Sequence, residues 1–202
     1  MRDSRFEVAI GAFDAANGAD PTSLLVDGVA RPRALVVADR LEAWVVRLAP
    51  DAADTLRLAA RSQHVRRWEF PRAAYPEGRL GYLEWRKAAA RFHAAQVTEI
   101  LRGAGYSDAE TALVTRITLK QGIKVTPEVQ LMEDALCLSF LEHEAEEFAG
   151  TQPFEKVVDV LAKTWRKMSP AGHAVALSLP LPAPVRAAVE AALAALPGAS
   201  VP

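Results

Sequence analysis

The order of apolar and polar positions along the chain predicts an almost wholly helical protein. Apolar residues recur three and four positions apart through most of the sequence, which is the period of an amphipathic α-helix. Sustained alternation with period two, typical of a half-buried strand, is hard to find. We therefore expect an all-α fold, an irregular bundle of seven or eight helices. No internal repeat of about 20 to 50 residues is visible, so a solenoid is not expected.

Turn and cap residues set the bounds of these predicted helices. The sequence predicts helices over residues 4–16, 34–48, 51–68, 81–103, 107–120 and 126–149, a loop over residues 21–33, and shorter helices that start near Pro153, Pro170 and Pro184. The pair Asn17-Gly18 is a turn signal that ends the first helix. Asp51 is the expected N-cap of the third helix, and Ser107 with Glu110 has the spacing of a capping box.

Length and composition favour one soluble domain over residues 1–202, with a frayed tail from about residue 197. Cys137 is the only cysteine, which excludes an internal disulfide and a cysteine zinc cage and fits a reducing compartment. Charged residues interrupt the amino-terminal segment, so no signal peptide is expected. The most apolar late segment, residues 174–185, is short and contains three prolines. We therefore expect a cytoplasmic protein without a membrane partner.

Charge is unevenly distributed, although the net charge is only -1 and gives no global reason to expect nucleic acid as a partner. Residues 57–91 contain nine Lys or Arg against three Glu, whereas residues 128–159 contain nine Asp or Glu against one Lys. One interpretation is that these are two solvated faces that pair or dock on each other. The other is a pocket with a basic wall that holds an anion and an acidic wall that holds a cation.

Helical geometry places several polar residues on inward faces. In the third helix, Arg57, Arg61 and His64 share a stripe that lies inside the apolar arc. In the next helix His93 lies among apolar residues, and in the second helix Arg40 does the same. Each of these taken alone is more typical of a hydrogen-bonded core residue than of a ligand. Together with Asp134 they place functional side chains on the inner faces of four helices, which favours a real site.

Asp134 is the clearest inward polar residue. It shares its stripe with five apolar residues, namely Leu131, Leu138, Leu141, Ala145 and Phe148. Met132 and Ser139 are predicted to face away from that stripe. Because an unpaired buried charge is costly, this carboxylate needs a metal ion, a proton, or an arginine such as Arg61 or Arg40.

These residues also carry a resemblance to a known family. The matching segments are RLAARSQHVRRWEFPR, YLEWRKAAARFHAAQVTEIL, PEVQLMEDALCLSFLEH and KTWRKMSPAGH. Over nearly its full length the chain resembles the uncharacterised family catalogued as domain of unknown function 4202, which implies no established activity. More distantly, the order of two histidine helices and a late helix with Asp134 resembles the HD superfamily of helical metal-dependent phosphohydrolases. That resemblance implies an HD-like bundle.

The HD resemblance also implies roles for individual residues. In that superfamily a His-Asp pair, an upstream His and a distal Asp hold a divalent cation that activates water against phosphate esters. His64 matches the histidine of the pair, Asp134 matches the distal aspartate, and His93 resembles an extra histidine of some members. The chain departs from the pattern at Val65, where the paired aspartate is expected, and at Arg40, since the second helix has no histidine.

Two hypotheses for function follow. The first is a divergent HD-like hydrolase of a small phosphate-bearing or other anionic molecule, in which His64, His93 and Asp134 hold a divalent metal and Glu133 accepts a proton. Its anion-binding residues would be Arg40, Arg57, Arg61, Arg66 and Arg86. The second is a non-catalytic module that has lost the metal and binds an anion, a nucleotide or another protein. The sequence contains no glycine-rich phosphate loop, so no nucleotide cofactor is expected.

Overall fold

The computed structural model describes residues 4–196, and the predicted frayed tail lies outside them. Over these residues the fold contains ten α-helices, two 3-10 turns and one two-stranded sheet, which confirms the all-α prediction. None of the helices in this range is long and apolar enough to cross a membrane. The chain divides into two compact units between Gln121 and Gly122. The expectation of one domain over residues 1–202 stays a prediction.

The first unit contains five helices and a β-hairpin. In chain order these are α1 (Ser4–Gly18), β1 (Ser23–Val26), β2 (Val29–Pro32), α2 (Arg33–Leu48), α3 (Asp54–Ser62), α4 (Gly78–Gly103) and α5 (Asp108–Thr118). Helix α3 packs against α1, α2 and α5, and α4 packs mainly against α5. The largest fully buried side chains at these contacts are Phe6, Phe13, Leu41, Trp44, Leu58, Leu101 and Ile117.

The second unit is entirely helical over the residues that are described. It consists of α6 (Pro127–His143), α7 (Ala145–Thr151), α8 (Phe154–Lys167), α9 (Pro170–Ser178) and α10 (Ala183–Ala194). Helix α10 packs along α8, and α6 contacts α7, α8 and α9. Met132 and Leu138 on α6 and Val185 on α10 are among its most deeply buried side chains.

Residues 21–33, predicted as a loop, form the β-hairpin instead. Ser23 pairs with Pro32 and Val26 with Val29 in an antiparallel register. The turn between the strands is Asp27-Gly28, and both residues have positive φ angles, 51° and 78°. Such a pair is the usual connection of a two-residue hairpin, because its twist matches that of the strands. The loop prediction was wrong because four-residue strands are too short to show period-two alternation.

The third helix is shorter than predicted. It was expected over residues 51–68 with Asp51 as its N-cap, but α3 begins at Asp54 and ends at Ser62, and its N-cap is Ala53. Beyond it the backbone of Arg66 is left-handed, with φ 51°, which a continuing α-helix does not allow. A 3-10 turn follows over Arg67–Glu69. Residues 63–68 therefore belong to a loop, and the helical stripe does not extend to His64.

Two other predicted boundaries also differ. The helix expected over residues 126–149 is interrupted at Glu144, where φ is -127° and ψ is -23°, so that α6 and α7 are separate. The first helix continues through the expected turn to Gly18. Asn17 is buried there, and its side-chain amide donates to the carbonyl of Arg61. The side chain of Asn17, which suggested a turn, thus makes a hydrogen bond inside the core.

The capping box at the start of α5 is confirmed. The hydroxyl of Ser107 accepts from the backbone N–H of Glu110, and the carboxylate of Glu110 accepts from the backbone N–H of Ser107. The same carboxylate also accepts from the Ser107 hydroxyl at 2.6 Å. These bonds lower the pKa of Glu110.

We expect Ser107→Ala to lower the free energy of unfolding by about 1 kcal/mol, because the first turn of α5 loses its side-chain cap. Urea denaturation followed by circular dichroism measures the change. Thr126→Ala is the matched control, since Thr126 is the N-cap of α6 but its side chain makes no capping bond. Equal losses in the two variants would contradict the assigned role of the Ser107 hydroxyl.

Candidate functional site at two histidines

The structure brings His64 and His93 together in the first unit. Their ring centroids lie 6.1 Å apart, with one ring edge-on to the other at 78°. His93 projects from α4 and is 4% exposed, which confirms its predicted inward position. His64 lies in the loop after α3 and remains partly exposed. A fully buried imidazole therefore lies next to a half-buried one.

A backbone carbonyl fixes the tautomer of His93. Its Nδ1 lies 2.9 Å from the carbonyl oxygen of Val65. Because a carbonyl oxygen only accepts, Nδ1 carries the proton and donates, and Nε2 keeps its lone pair. That Nε2 is buried and has no hydrogen-bond partner among the described residues. Val65 thus contacts His93 through its backbone carbonyl, while its side chain is buried in the core.

Both histidines are neutral near pH 7. Burial, together with the positive charge of Arg67, lowers the pKa of His93 to about 4 despite the raising effect of the Val65 hydrogen bond. The pKa of His64 is well below its usual range, chiefly because of burial and then because of Arg67, His93 and Lys120. Two cationic side chains therefore act on the pair, and they make the electrostatic potential at the rings more positive.

The loop that carries His64 and Arg67 is held against α4. The indole N–H of Trp85 donates to the carbonyl of Phe70 at 3.1 Å, and a guanidinium nitrogen of Arg72 donates to the carbonyl of Pro76 at 2.7 Å. At Gly81 a Cβ would lie 2.0 Å from the carbonyl oxygen of Pro76, so only glycine allows this approach. These contacts and the His93–Val65 bond hold the loop in place.

Sequence reasoning missed Arg67 and Lys120 as neighbours of the histidines. Arg67 was assigned to a helix that does not reach it, and the prediction therefore gave it no place near His64. Lys120 follows the end of α5 and has a left-handed backbone, with φ 56°. No periodic signal marks a single residue of that kind. The excess of basic residues over positions 57–91 was the only available indication, and it did not single out Arg67.

Two of the predicted anion-binding arginines are engaged by carboxylates. The guanidinium of Arg61 contacts Asp14, Asp39 and Glu42, and it is almost fully buried, as its inward position predicted. Arg57 donates to Glu42 at 2.5 Å. Their positive charges are thus largely compensated inside the bundle. This cluster ties α1, α2 and α3 together.

The other three predicted anion-binding arginines have no carboxylate partner as close as those of Arg57 and Arg61 among the described residues. Arg66 is exposed, donates to Gln96 and lies 3.7 Å from Glu69. Arg86 is exposed, and its guanidinium lies 5.8 Å from the ring centroid of Tyr82. Arg40 is half-buried on α2, and no hydrogen bond or ion pair joins it to another of the described residues.

In the second unit Asp134 is buried, as predicted, and its partners are hydrogen-bond donors. Its Oδ1 accepts from the backbone N–H of Ser169 at 2.8 Å and from the amide of Gln130 at 2.9 Å. Its Oδ2 accepts from the hydroxyl of Ser169 at 2.5 Å. Ser169 is also the N-cap of α9 and accepts from the N–H of Gly172. Asp134 therefore anchors the beginning of α9 on α6.

Glu133, the predicted proton acceptor, is buried beside Asp134. Its side chain is 3% exposed, and its Oε1 lies 3.6 Å from the ammonium nitrogen of Lys167. Met132 and Ser139 are buried too, so the prediction that they face away from the core was wrong. The reason is that α6 contacts three helices of its unit and is covered on most sides. The prediction assumed a helix with one apolar face and one solvated face, which does not describe α6.

Gly172→Ala is expected to lower the free energy of unfolding by roughly 2 kcal/mol through overpacking. A Cβ at that position would lie 2.8 Å from both Cγ and Oδ1 of Asp134, whose carboxylate is already held by several hydrogen bonds. Gly150→Ala is the control, because a Cβ there meets nothing within 4 Å, and we expect it to stabilise α7 slightly. Thermal unfolding of the two variants compares them directly. A neutral Gly172→Ala would mean that Asp134 is not fixed as described.

The predicted metal ligands are divided between the two units. His64 and His93 belong to the first unit, whereas Asp134 belongs to the second, as does Glu133, the predicted proton acceptor. Within residues 4–196 no group of three His, Cys, Asp or Glu side chains is arranged to hold a metal ion. A divalent metal on His64, His93 and Asp134 stays a prediction.

Comparison with known proteins gives one match. The family model described as Domain of unknown function (DUF4202) matches residues 7–189, which is most of the chain. No curated protein matches the chain. No solved structure matches it either.

Proposed function

The chain belongs to the family described as Domain of unknown function (DUF4202), and we propose that it binds a small anionic molecule, such as a phosphate ester, at His64 and His93. The observation that supports this proposal is the pair of neutral imidazoles 6.1 Å apart, with the positive charge of Arg67 acting on both rings and that of Lys120 acting on His64. A positive potential attracts an anion, and the N–H of the His64 imidazole can donate to one of its oxygens.

The unpartnered Nε2 of His93 limits which ligands fit the site. Because Nδ1 donates to Val65, Nε2 has only a lone pair to offer and suits a ligand that donates a hydrogen bond. A monohydrogen phosphate, or a phosphate ester with a nearby hydroxyl, combines oxyanions with one O–H donor. Such a molecule would use both the cationic surroundings and the unpartnered nitrogen.

The metal-dependent phosphohydrolase remains a second candidate. The hydrogen bond from His93 Nδ1 to the carbonyl of Val65 supports this candidate too. Metal-bound histidines commonly donate their other ring N–H to a carbonyl or carboxylate in this way. In its favour stands the distant resemblance to the HD superfamily at His64, His93 and Asp134. In that reading the divalent metal would activate water, and Glu133 would accept its proton.

The residues near the histidine pair fit a divalent cation less well than they fit an anion. The positive charge of Arg67, which lowers the pKa of both histidines, would repel a metal ion. The carboxylate of Asp134 already accepts three hydrogen bonds, two at Oδ1 and one at Oδ2, so only one lone pair of Oδ2 is left for a metal ion.

Calorimetric titration with inorganic phosphate tests the anion proposal. We expect Lys120→Met to weaken phosphate binding about tenfold, equivalent to about 1.4 kcal/mol, because one of the two cations is lost. Lys87→Met is the matched control, since Lys87 is an exposed lysine of α4 that no hydrogen bond or ion pair joins to another described residue. We expect its affinity to be unchanged. Absence of phosphate binding, or equal losses in both variants, would refute the proposal.

Hydrolysis of p-nitrophenyl phosphate separates the two candidates. If the protein is a metal-dependent phosphohydrolase, turnover should require added divalent metal and should disappear in Asp134→Asn. If it only binds anions, we expect no turnover with any metal and an unchanged phosphate affinity in Asp134→Asn. Melting curves for Asp134→Asn are needed beside the assay, because Asp134 also anchors α9.

A further inference from the structure

A small enclosed cavity lies in the first unit next to His64. Its volume is about 10 Å³. The polar residues on its wall are Asn17, Arg61, Gln63 and His64, and the remainder of the wall is apolar and comes largely from α2. The cavity thus adjoins both the end of α1 and the loop that follows α3.

Two amide side chains on this wall have orientations fixed by their partners. The Nδ2 of Asn17 donates to the carbonyl of Arg61 at 3.2 Å, and the Nε2 of Gln63 donates to the carbonyl of Thr118 at 3.3 Å. Because a carbonyl cannot donate, neither amide can be turned round without losing its bond. The oxygen of each amide is therefore the group left over.

Both of those oxygens are buried and unsatisfied. Asn17 is 1% exposed and Gln63 is 4% exposed, and neither Oδ1 of the first nor Oε1 of the second has a hydrogen-bond partner among the described residues. An unpaired buried acceptor is costly, and two around one cavity indicate a shared donor. That donor must supply two hydrogen bonds.

The chemistry of the wall selects the ligand. An anion would face two amide oxygens, which only accept hydrogen bonds. A cavity of this volume is just large enough for one water molecule. We propose that a single ordered water molecule occupies it and donates to Asn17 Oδ1 and Gln63 Oε1.

This water site is independent of the anion proposal. His64 lies on the same wall, but the single N–H of its neutral imidazole is the donor that the anion proposal uses. The partners of the water are therefore Asn17 on α1 and Gln63 at the end of α3.

A high-resolution crystal structure of the full chain tests the proposal without any substitution. We expect one solvent peak within about 2.7–3.2 Å of both Asn17 Oδ1 and Gln63 Oε1. A cavity without density, or a peak that contacts only one of the two oxygens, would overturn it. Loss of phosphate binding in solution would not bear on this result, so the two proposals fail separately.

A double-mutant cycle tests the same water in solution. Asn17→Ala and Gln63→Ala each remove one acceptor, and the double variant removes the site. Because both single changes act on one water, we expect the double variant to lower the melting temperature by less than the sum of the single shifts. Ser62→Ala paired with Asn17→Ala is the control, since Ser62 bonds within α3 and does not line the cavity, and its shift should add. Additive shifts for Asn17 and Gln63 would overturn the shared site.

Discussion

Arg61→Met is expected to lower the free energy of unfolding by roughly 3 kcal/mol at pH 7, because the buried cation that three carboxylates share is lost. The guanidinium of Arg61 is the common partner of Asp14, Asp39 and Glu42, which come from α1 and α2. Methionine keeps the length and apolar stem of the side chain. It leaves Asp14 without its arginine, whereas Asp39 keeps Arg31 and Glu42 keeps Arg57. The measurement is urea denaturation at low salt.

The control for this variant is an arginine on the surface. Arg102→Met removes an ion pair with Asp108 in which the two side chains are 62% and 85% exposed, and we expect only a small change. Added salt should recover part of the loss in Arg61→Met, since it screens repulsion among the remaining carboxylates. A loss no larger than that of Arg102→Met would contradict the structural role assigned to Arg61.

The free energy of unfolding is also expected to fall by roughly 3 kcal/mol as pH falls from 7.5 to 4, through His93 alone. Its pKa is about 4 in the folded chain against an ordinary value of 6.5. Between these values the unfolded chain binds a proton that the folded chain does not. The contribution of His93 is therefore complete above pH 6.5 and is lost progressively down to pH 4.

His93→Gln isolates that effect. Glutamine keeps an N–H that can donate to the carbonyl of Val65 but does not titrate. Stability should then depend less steeply on pH between 4 and 6.5, although His64, whose pKa is also lowered, still contributes in the same direction. The experiment is a series of denaturation curves across this range for both proteins. Identical slopes would mean that His93 is accessible to protons in the folded chain.

The sequence predicted what depends on helical period. The all-α class followed from apolar spacing, and so did the buried positions of His93, Asp134 and Arg61, since each lies on a regular helix among apolar neighbours. The capping box at Ser107 was predictable because its signal is local. In each case the prediction depends on the residues of one helix alone.

The parts that sequence reasoning did not predict depend on single backbone conformations or on distant contacts. One left-handed residue, Arg66, follows the end of the third helix and moves His64 and Arg67 into a loop. The partner of Asp134 is Ser169, which is 35 positions away, and only tertiary packing brings the two together. The carboxylates around Arg61 come from two other helices for the same reason.

We propose that an anion binds at His64 and His93, where Arg67 and Lys120 supply positive charge. The most direct measurement is the NMR spectrum of the imidazole nitrogens during addition of inorganic phosphate and, separately, of Mn²⁺. The account predicts that phosphate shifts the resonances of His64 and His93, and that Mn²⁺ leaves them sharp. Broadening of these two histidines at low Mn²⁺, with no response to phosphate, would contradict it and would favour the metal site.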